Sequence, residues 1–79
     1  MKTLTNLFYE LHPERDYDAS EDFIADGLLD SFDMAQLLGI VEKEYGVRLA
    51  GTDLLPTNFV NFNAMQSLLA TYDVNVEIK

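Results

Sequence analysis

Residues 30–46 read DSFDMAQLLGIVEKEYG, and this stretch carries the strongest structural signal in the chain. Its large apolar residues recur at helical spacing and form one stripe, made of Met34, Leu37, Leu38, Val41 and Tyr45. Asp30 or Ser31 can cap the amino end, and Asp33 adds negative charge to the first turn. Gly46 supplies the left-handed residue with which many helices end. The stretch therefore predicts one amphipathic helix with a defined start and stop.

The residues before this stretch predict a shorter helix and a long loop. Apolar residues at helical spacing begin after Thr3, a suitable N-cap; they are Leu4, Leu7, Phe8 and Leu11. His12 precedes Pro13, and a residue in that position disfavours helical geometry, so the helix ends there. We expect a long loop over Pro13–Asp30. Its large apolar residues predict that it packs across a core; they are Tyr17, Phe23, Ile24, Leu28 and Leu29.

The residues after it predict two more helices and a loose end. Pro56 suits the first position of a short third helix, with Phe59 and Val60 as its apolar side. Asn61 can cap a last helix whose apolar face consists of Met65, Leu68, Leu69 and Tyr72. Val74–Ile78 alternates like a strand but has no obvious partner, so we expect residues 74–79 to be frayed. The predicted fold is an all-α four-helix bundle: three main helices, a short third one, and a long loop between the first two. Residues 1–79 form one domain with a core of about residues 3–73.

Composition limits the classes of function. A chain of 79 residues, 48% of them hydrophobic, supports one modest core and disfavours a deep, enclosed active site. Cysteine is absent, so neither disulfides nor thiolate chemistry are available from the side chains. No apolar stretch approaches the ~18 residues of a membrane-spanning helix. No charged, hydrophobic leader opens the sequence, so we expect a cytoplasmic protein.

The charge of the chain is strongly one-sided. Fourteen acidic residues stand against five basic ones, a net charge of −9. Nine of the acids lie between Glu10 and Asp33, opposed there only by Arg15. Such a surface repels nucleic acid and anionic lipid, and it favours partners that carry basic patches.

Ser31 is the first candidate functional residue. A hydroxyl at a helix start lies beside unpaired backbone N–H groups and the positive end of the helix dipole, a favourable place for an anion. On a helical wheel Phe32 and Gln36 fall opposite the apolar stripe, so we expect an outward aromatic next to Ser31. Beside them lies an edge of Asp33, Ile40 and Glu44. These five residues form the predicted docking face; in the alternative, Phe32 folds back onto the loop at Leu28 or Leu29.

The motif resembles a known family. Residues 26–32, Asp-Gly-Leu-Leu-Asp-Ser-Phe, followed by an amphipathic helix that ends at Tyr-Gly, look like a phosphopantetheine carrier protein of the acyl and peptidyl carrier superfamily. The resemblance extends from about Leu4 to Tyr72. In that family the Ser of an Asp-Ser-Leu or Asp-Ser-Phe motif opens the second helix and receives 4′-phosphopantetheine from coenzyme A. It implies Ser31 as the attachment residue, with Asp30 as the other polar member of the cofactor motif.

The resemblance also implies a function and partners. The chain would be a monomeric, non-catalytic carrier that holds an acyl or aminoacyl group as a thioester on the arm's thiol. Its partners would be a phosphopantetheinyl transferase, a loading ligase or acyltransferase, and downstream transfer enzymes. By family analogy an acyl chain can rest between the second and third helices, lined by Met34, Leu37, Leu38, Phe59 and Met65; the alternative is that these side chains are simply core.

The motif differs from those of two large subgroups of the family. The Gly-Gly-His-Ser of peptide assembly lines is missing, and Phe32 stands where fatty-acid carriers usually have Leu. Gln36 and Lys43 occupy positions that are often acidic there. The motif Leu-Leu-Asp-Ser-Phe is most similar to that of D-alanyl carrier proteins and other stand-alone carriers that serve one dedicated pathway.

Three rival functions can be weighed on the residues. The main alternative is an acidic helical interaction module in which Ser31 is only an N-cap. A calcium loop is suggested by alternating oxygen ligands, Asp16, Asp18, Ser20 and Asp22, but Glu21 stands where the turn needs Gly, and Gly27 where the loop needs Glu. A hydrolase needs a base for Ser31, and the only histidine, His12, is expected to be an exposed loop residue. We therefore predict no metal site and no catalytic residue.

Overall fold

Three α-helices form where the sequence places capping residues. In the computed structural model, which describes all residues 1–79, α1 spans Leu4–Leu11, α2 spans Ser31–Tyr45 and α3 spans Phe62–Ala70. The side chains of Thr3 and Asn61 accept hydrogen bonds from backbone N–H groups in the first turns of α1 and α3. Gly46, with a φ of 65°, ends α2 in the left-handed conformation. The predicted all-α class is confirmed, and the chain contains no strand.

The connections between the helices contain three short 3₁₀ turns, one between α1 and α2 and two between α2 and α3. These lie at Tyr17–Ala19, Gly51–Asp53 and Pro56–Asn58. The last of them lies where the sequence predicts the short third helix. Its backbone bonds run from the N–H of Asn58 to the carbonyl of Leu55 and from that of Phe59 to Pro56, which is the tighter three-residue pattern. Phe59, which follows this turn, is fully buried in the core.

The core is one cluster of sixteen buried apolar side chains, and α1 packs against both α2 and α3. Four aromatic rings from different parts of the chain meet in it: Phe8, Tyr17, Phe23 and Phe62. Their ring centroids lie 5.0 to 5.4 Å apart in edge-on contacts. Such contacts add stability beyond the area they bury. Because two of the rings come from the connection between α1 and α2, that connection is packed onto the helices.

The carboxyl-terminal tail completes α1, and the expectation that it is frayed is wrong. The carbonyls of Glu77 and Ile78 accept hydrogen bonds from the backbone N–H groups of Leu4 and Thr5, at 2.9 and 3.0 Å. Val76 is buried, with 8% of its surface exposed. The first N–H groups of a helix have no partner inside the helix. The tail therefore supplies acceptors that α1 lacks, instead of pairing with a strand.

We predict that deletion of residues 77–79 lowers the free energy of unfolding by about 2 kcal/mol, because two N–H groups at the start of α1 lose their acceptors. Urea denaturation of the full-length and shortened chains measures the difference.

The matched control is Lys79→Gln, which removes only the ion pair between Lys79 and Asp18, two side chains that are 68% and 41% exposed. We expect this change to alter stability by less than about 0.5 kcal/mol. Equal stability of the full-length and shortened chains would contradict a capping role for the tail.

Candidate functional site

The amino end of α2 is held by a reciprocal capping box. The carboxylate of Asp30 accepts a hydrogen bond from the backbone N–H of Asp33 at 2.9 Å, and the carboxylate of Asp33 accepts one from the N–H of Asp30 at 3.1 Å. Asp30 is therefore the N-cap, and Ser31 is the first residue of the helix. The sequence left both residues open as the cap, and the structure assigns the role to Asp30.

Ser31 consequently does not cap the helix. Its side chain is exposed, and its hydroxyl has no hydrogen-bond partner in the protein. The backbone N–H groups of Ser31 and Phe32 also lack acceptors, because they belong to the first turn of α2. The positive end of the helix dipole lies at the same place. An exposed hydroxyl thus stands beside two free N–H donors, which is an environment that stabilises an anion.

Asp33 does not lie on an exposed edge, and that part of the predicted docking face is wrong. It is the only buried charged residue of the chain, with 4% of its surface exposed. His12 Nε2 lies 2.8 Å from one of its carboxylate oxygens, and Arg15 Nη1 donates to the other at 2.7 Å. A helical wheel misplaces the side chain because the capping box turns it back toward the N-cap, where two basic groups meet it.

The charge of Asp33 is stabilised by these partners. Burial by itself raises the pKa of Asp33. The hydrogen bonds with His12 and Arg15, and that from the backbone N–H of Asp30, outweigh this cost and lower the pKa from 3.8 to about 2. The carboxylate therefore remains ionised over the whole neutral range.

The other predicted docking residues remain at the surface of α2 to different degrees. Phe32 is 70% exposed, so the predicted outward orientation is confirmed, and it does not fold back onto the loop. Gln36 is exposed as well. Ile40 and Glu44 are half-buried, and the Glu44 carboxylate accepts a hydrogen bond from the backbone N–H of Lys2 at 2.8 Å. The freely accessible part of this face is the first turn and a half of the helix.

The residues predicted to line an acyl pocket lie in or against the core. Four of them are at most 6% exposed; these are Met34, Leu37, Phe59 and Met65. Leu38 is half-buried and packs against the same cluster. None of the five main surface depressions is lined by any of the five side chains. In this conformation they act as packing residues.

His12 and Arg15 are site residues that the sequence did not assign. The expectation of an exposed loop histidine is wrong, because the His12 side chain is 24% exposed and lies between Asp33 and Glu14. Arg15 also donates to the carbonyl of Leu28 at 2.6 Å. One signal could have found Arg15, since it is the only Lys or Arg within a run of nine acids. No local pattern marks His12, whose partner is 21 residues away.

Three of the four oxygen ligands in the calcium hypothesis have other partners, and Asp16 has none. Asp18 pairs with Lys79, Ser20 donates to Asp26, and Asp22 accepts from the N–H groups of Ile24 and Ala25. No group of three or more His, Asp or Glu side chains is arranged to hold a metal ion.

Comparisons of the chain with protein-family models, with curated proteins and with solved structures give no match. None of the three α-helices combines the length and the apolar composition that crossing a membrane requires.

We predict that Asp33→Asn lowers the free energy of unfolding by about 2 kcal/mol at neutral pH, because His12 and Arg15 lose a charged partner. The pKa of Asp33 is lower in the folded chain than in the unfolded one. Its contribution is thus complete above pH 3.8 and is lost as the pH falls toward 2. Urea denaturation from pH 7 down to pH 2 should show the wild type approaching the variant.

Asp16→Asn is the matched control, since Asp16 is exposed and has no ion-pair or hydrogen-bond partner. It removes the same charge and should change stability by at most about 0.5 kcal/mol. A constant difference between the wild type and Asp33→Asn at every pH would contradict the charged role of Asp33.

Proposed function

We propose that the chain is an acyl carrier protein, with 4′-phosphopantetheine attached to the Ser31 hydroxyl. A phosphopantetheinyl transferase would supply the group from coenzyme A. The observation that carries the proposal is the state of Ser31: its hydroxyl is exposed and unbonded at the first position of α2, while Asp30 caps the helix. The protein itself is not an enzyme in this proposal. It attaches cargo and presents it.

The residues around Ser31 fit a phosphodiester. The Ser31 oxygen would form a bond to the phosphorus of coenzyme A that carries the pantetheine. The pyrophosphate P–O bond breaks, the nucleotide part leaves with its own phosphate groups, and the hydroxyl proton passes to a base of the transferase. The product keeps one negative charge. The free N–H groups of Ser31 and Phe32 can donate hydrogen bonds to its phosphate oxygens, and the dipole of α2 stabilises the charge. The Asp30 carboxylate is occupied by the N–H of Asp33, so it faces the helix. When bound, the arm supplies a thiol that holds an acyl or aminoacyl group as a thioester.

The architecture also supports the proposal in its finer detail. The carrier fold has four helices, the third of them short, and a long loop between the first two. Here residues 12–30 contain no α-helix, and the 3₁₀ turn Pro56–Asn58 occupies the place of the short third helix. The lining of an acyl pocket by Met34, Leu37, Leu38, Phe59 and Met65 is part of this proposal, and it requires α2 and the segment at Phe59 to separate.

The partners follow from the surface. With a net charge of −9, the chain attracts enzymes with basic patches, and it repels nucleic acid and anionic membranes. The proposed docking face consists of Phe32 and Gln36, flanked by the half-buried Ile40 and Glu44. Its users would be the transferase, a loading ligase or acyltransferase, and the enzymes that take the cargo further in one dedicated pathway. We place this monomeric carrier in the cytoplasm.

The rival proposal, an acidic interaction module, assigns Ser31 the role of a helix cap. Asp30 performs that role in the capping box, so the serine is not needed for it. The two proposals then differ in one measurable property, which is whether Ser31 becomes modified.

We predict that the purified chain, incubated with coenzyme A and a broad-specificity phosphopantetheinyl transferase, gains one phosphopantetheine group by intact-mass spectrometry. Ser31→Ala should gain none. Ser67→Ala is the matched control, because Ser67 is an exposed serine on α3, and it should be modified like the wild type. No gain with several transferases, or a gain that persists in Ser31→Ala, would overturn the proposal.

We also predict that Phe32→Ala raises the KM of the transferase for the chain, by roughly tenfold if Phe32 is a central contact of the interface. Its stability should stay within about 0.5 kcal/mol of the wild type, because the ring is 70% exposed. Leu55→Ala is the matched control, since Leu55 is another exposed apolar residue, at 52%. If both variants are loaded as the wild type is, Phe32 has no part in docking.

A further inference from the structure

Three hydrogen-bond donors from three parts of the chain meet at the carboxylate of Asp33. They come from His12, which ends α1, from Arg15 in the connection, and from the backbone of Asp30 at the start of α2. A buried carboxylate needs such partners, because an ionised group without them is very costly to remove from water. The start of α2 is therefore joined to the end of α1 through one charged group.

Arg15 holds the backbone on both sides of Ser31. A single nitrogen of its guanidinium, Nη1, donates to the carbonyl of Leu28 at 2.6 Å and to the carboxylate of Asp33 at 2.7 Å. The residues three before and two after Ser31 are thus tied to the same group. The Ser31 hydroxyl is left unbonded between the two ties. The backbone of the modification site is fixed while the reacting atom stays accessible.

His12 lies between two carboxylates. Its Nε2 lies 2.8 Å from Asp33, and its Nδ1 lies 3.3 Å from Glu14. The ring therefore presents one nitrogen to Asp33 as a donor, while Glu14 flanks the other nitrogen. The other groups that can carry charge nearby are Arg15, which also approaches Glu14 at 3.5 Å, and Tyr17, whose buried hydroxyl has no hydrogen-bond partner.

We propose that His12 and Arg15 are positioning residues for Ser31, which hold Asp33 and the first turn of α2 in the arrangement that a modifying transferase recognises. This inference rests on the proposed carrier function. Neither residue touches the reacting atoms. Both act through Asp33.

Loss of this positioning has a specific effect on the kinetics of the transferase. Without Arg15 the Asp33 carboxylate stays buried with fewer partners, so the first turn of α2 opens in part of the molecules. A transferase that binds only the closed turn then sees a reduced concentration of its substrate, and the apparent affinity falls by the closed fraction. At saturation all molecules are drawn into the closed form. Loss of positioning therefore raises KM and leaves kcat unchanged.

The first experiment compares Arg15→Gln with the wild type in steady-state loading and in amide hydrogen exchange. We expect the KM for the chain to rise about tenfold, as when a tenth of the molecules remain closed, with kcat unchanged. The amides of Asp33 and Met34 should exchange faster, while those of Leu68 and Leu69 in α3 do not. Arg48→Gln is the matched control, because Arg48 is exposed and has no ion-pair partner, and it removes the same charge. Arg15→Lys keeps the charge and should recover part of the loss, and it replaces Arg15→Gln if that variant does not fold.

The second experiment tests the histidine by competition. Wild type and His12→Ala are loaded in one reaction with limiting transferase and are distinguished by mass. Alanine cannot donate to Asp33, so the variant loses the contact that His12 Nε2 makes at 2.8 Å. The ratio of loaded wild type to loaded variant should therefore be well above one.

The outcomes separate the two proposals. If the wild type is not loaded by any transferase, the carrier function fails and the positioning role falls with it. If the wild type is loaded, but Arg15→Gln shows an unchanged KM and the wild type has no advantage over His12→Ala in the competition, only the positioning role is overturned. A fall in kcat with unchanged KM would also contradict it, because that result places the effect after binding.

Discussion

A buried carboxylate in a chain of 79 residues restricts the paths that the backbone can take. Asp33 is 4% exposed, and its two oxygens require donors at hydrogen-bond distance. His12 reaches it only if α1 ends beside the start of α2. Arg15 reaches it only if the connection turns back after Pro13. The carboxylate therefore fixes where α1 stops, how the connection leaves it and where α2 begins, and it does so with directional contacts that apolar packing lacks.

The apolar core depends on the same arrangement. Tyr17 and Phe23 lie in the connection between Arg15 and Leu28, the carbonyl of which accepts from Arg15. The ring of Tyr17 meets Phe8 edge-on, and that of Phe23 meets Phe62 edge-on. A domain of this size buries a smaller share of its surface than a large one, so each connection must add to its core. The tail serves the same need at the opposite end of α1, where Glu77 and Ile78 accept the N–H groups that the helix leaves open.

Local features of the fold could be predicted, and features that depend on distant partners could not. The stripe Met34–Tyr45, the caps at Thr3 and Asn61 and the stop at Gly46 follow from residues within a few positions of each other, and they are confirmed. The predictions of a frayed tail and of an exposed Asp33 are wrong for one reason. The partners of the tail and of Asp33 lie more than fifteen residues away, and an alternating pattern or a helical wheel contains no information about them. At Pro56 the sequence predicts a short third helix, and the structure has a single 3₁₀ turn there, Pro56–Asn58.

The residues of the candidate site also divide into those that depend on local geometry and those that depend on distant partners. Ser31 and the outward Phe32 could be found from the motif and the helical period, because both depend on local geometry. The support beneath them could not, since His12 and Arg15 precede Asp33 by 21 and 18 residues. A serine that caps a helix gives its oxygen to a backbone N–H, and that bond orients the side chain toward the helix. In this chain Asp30 accepts the capping hydrogen bond, and Asp33 with its two basic partners joins the start of α2 to the end of α1. The hydroxyl between them is left with one property, accessibility at a helix start, which is the property that attachment of an anionic group requires.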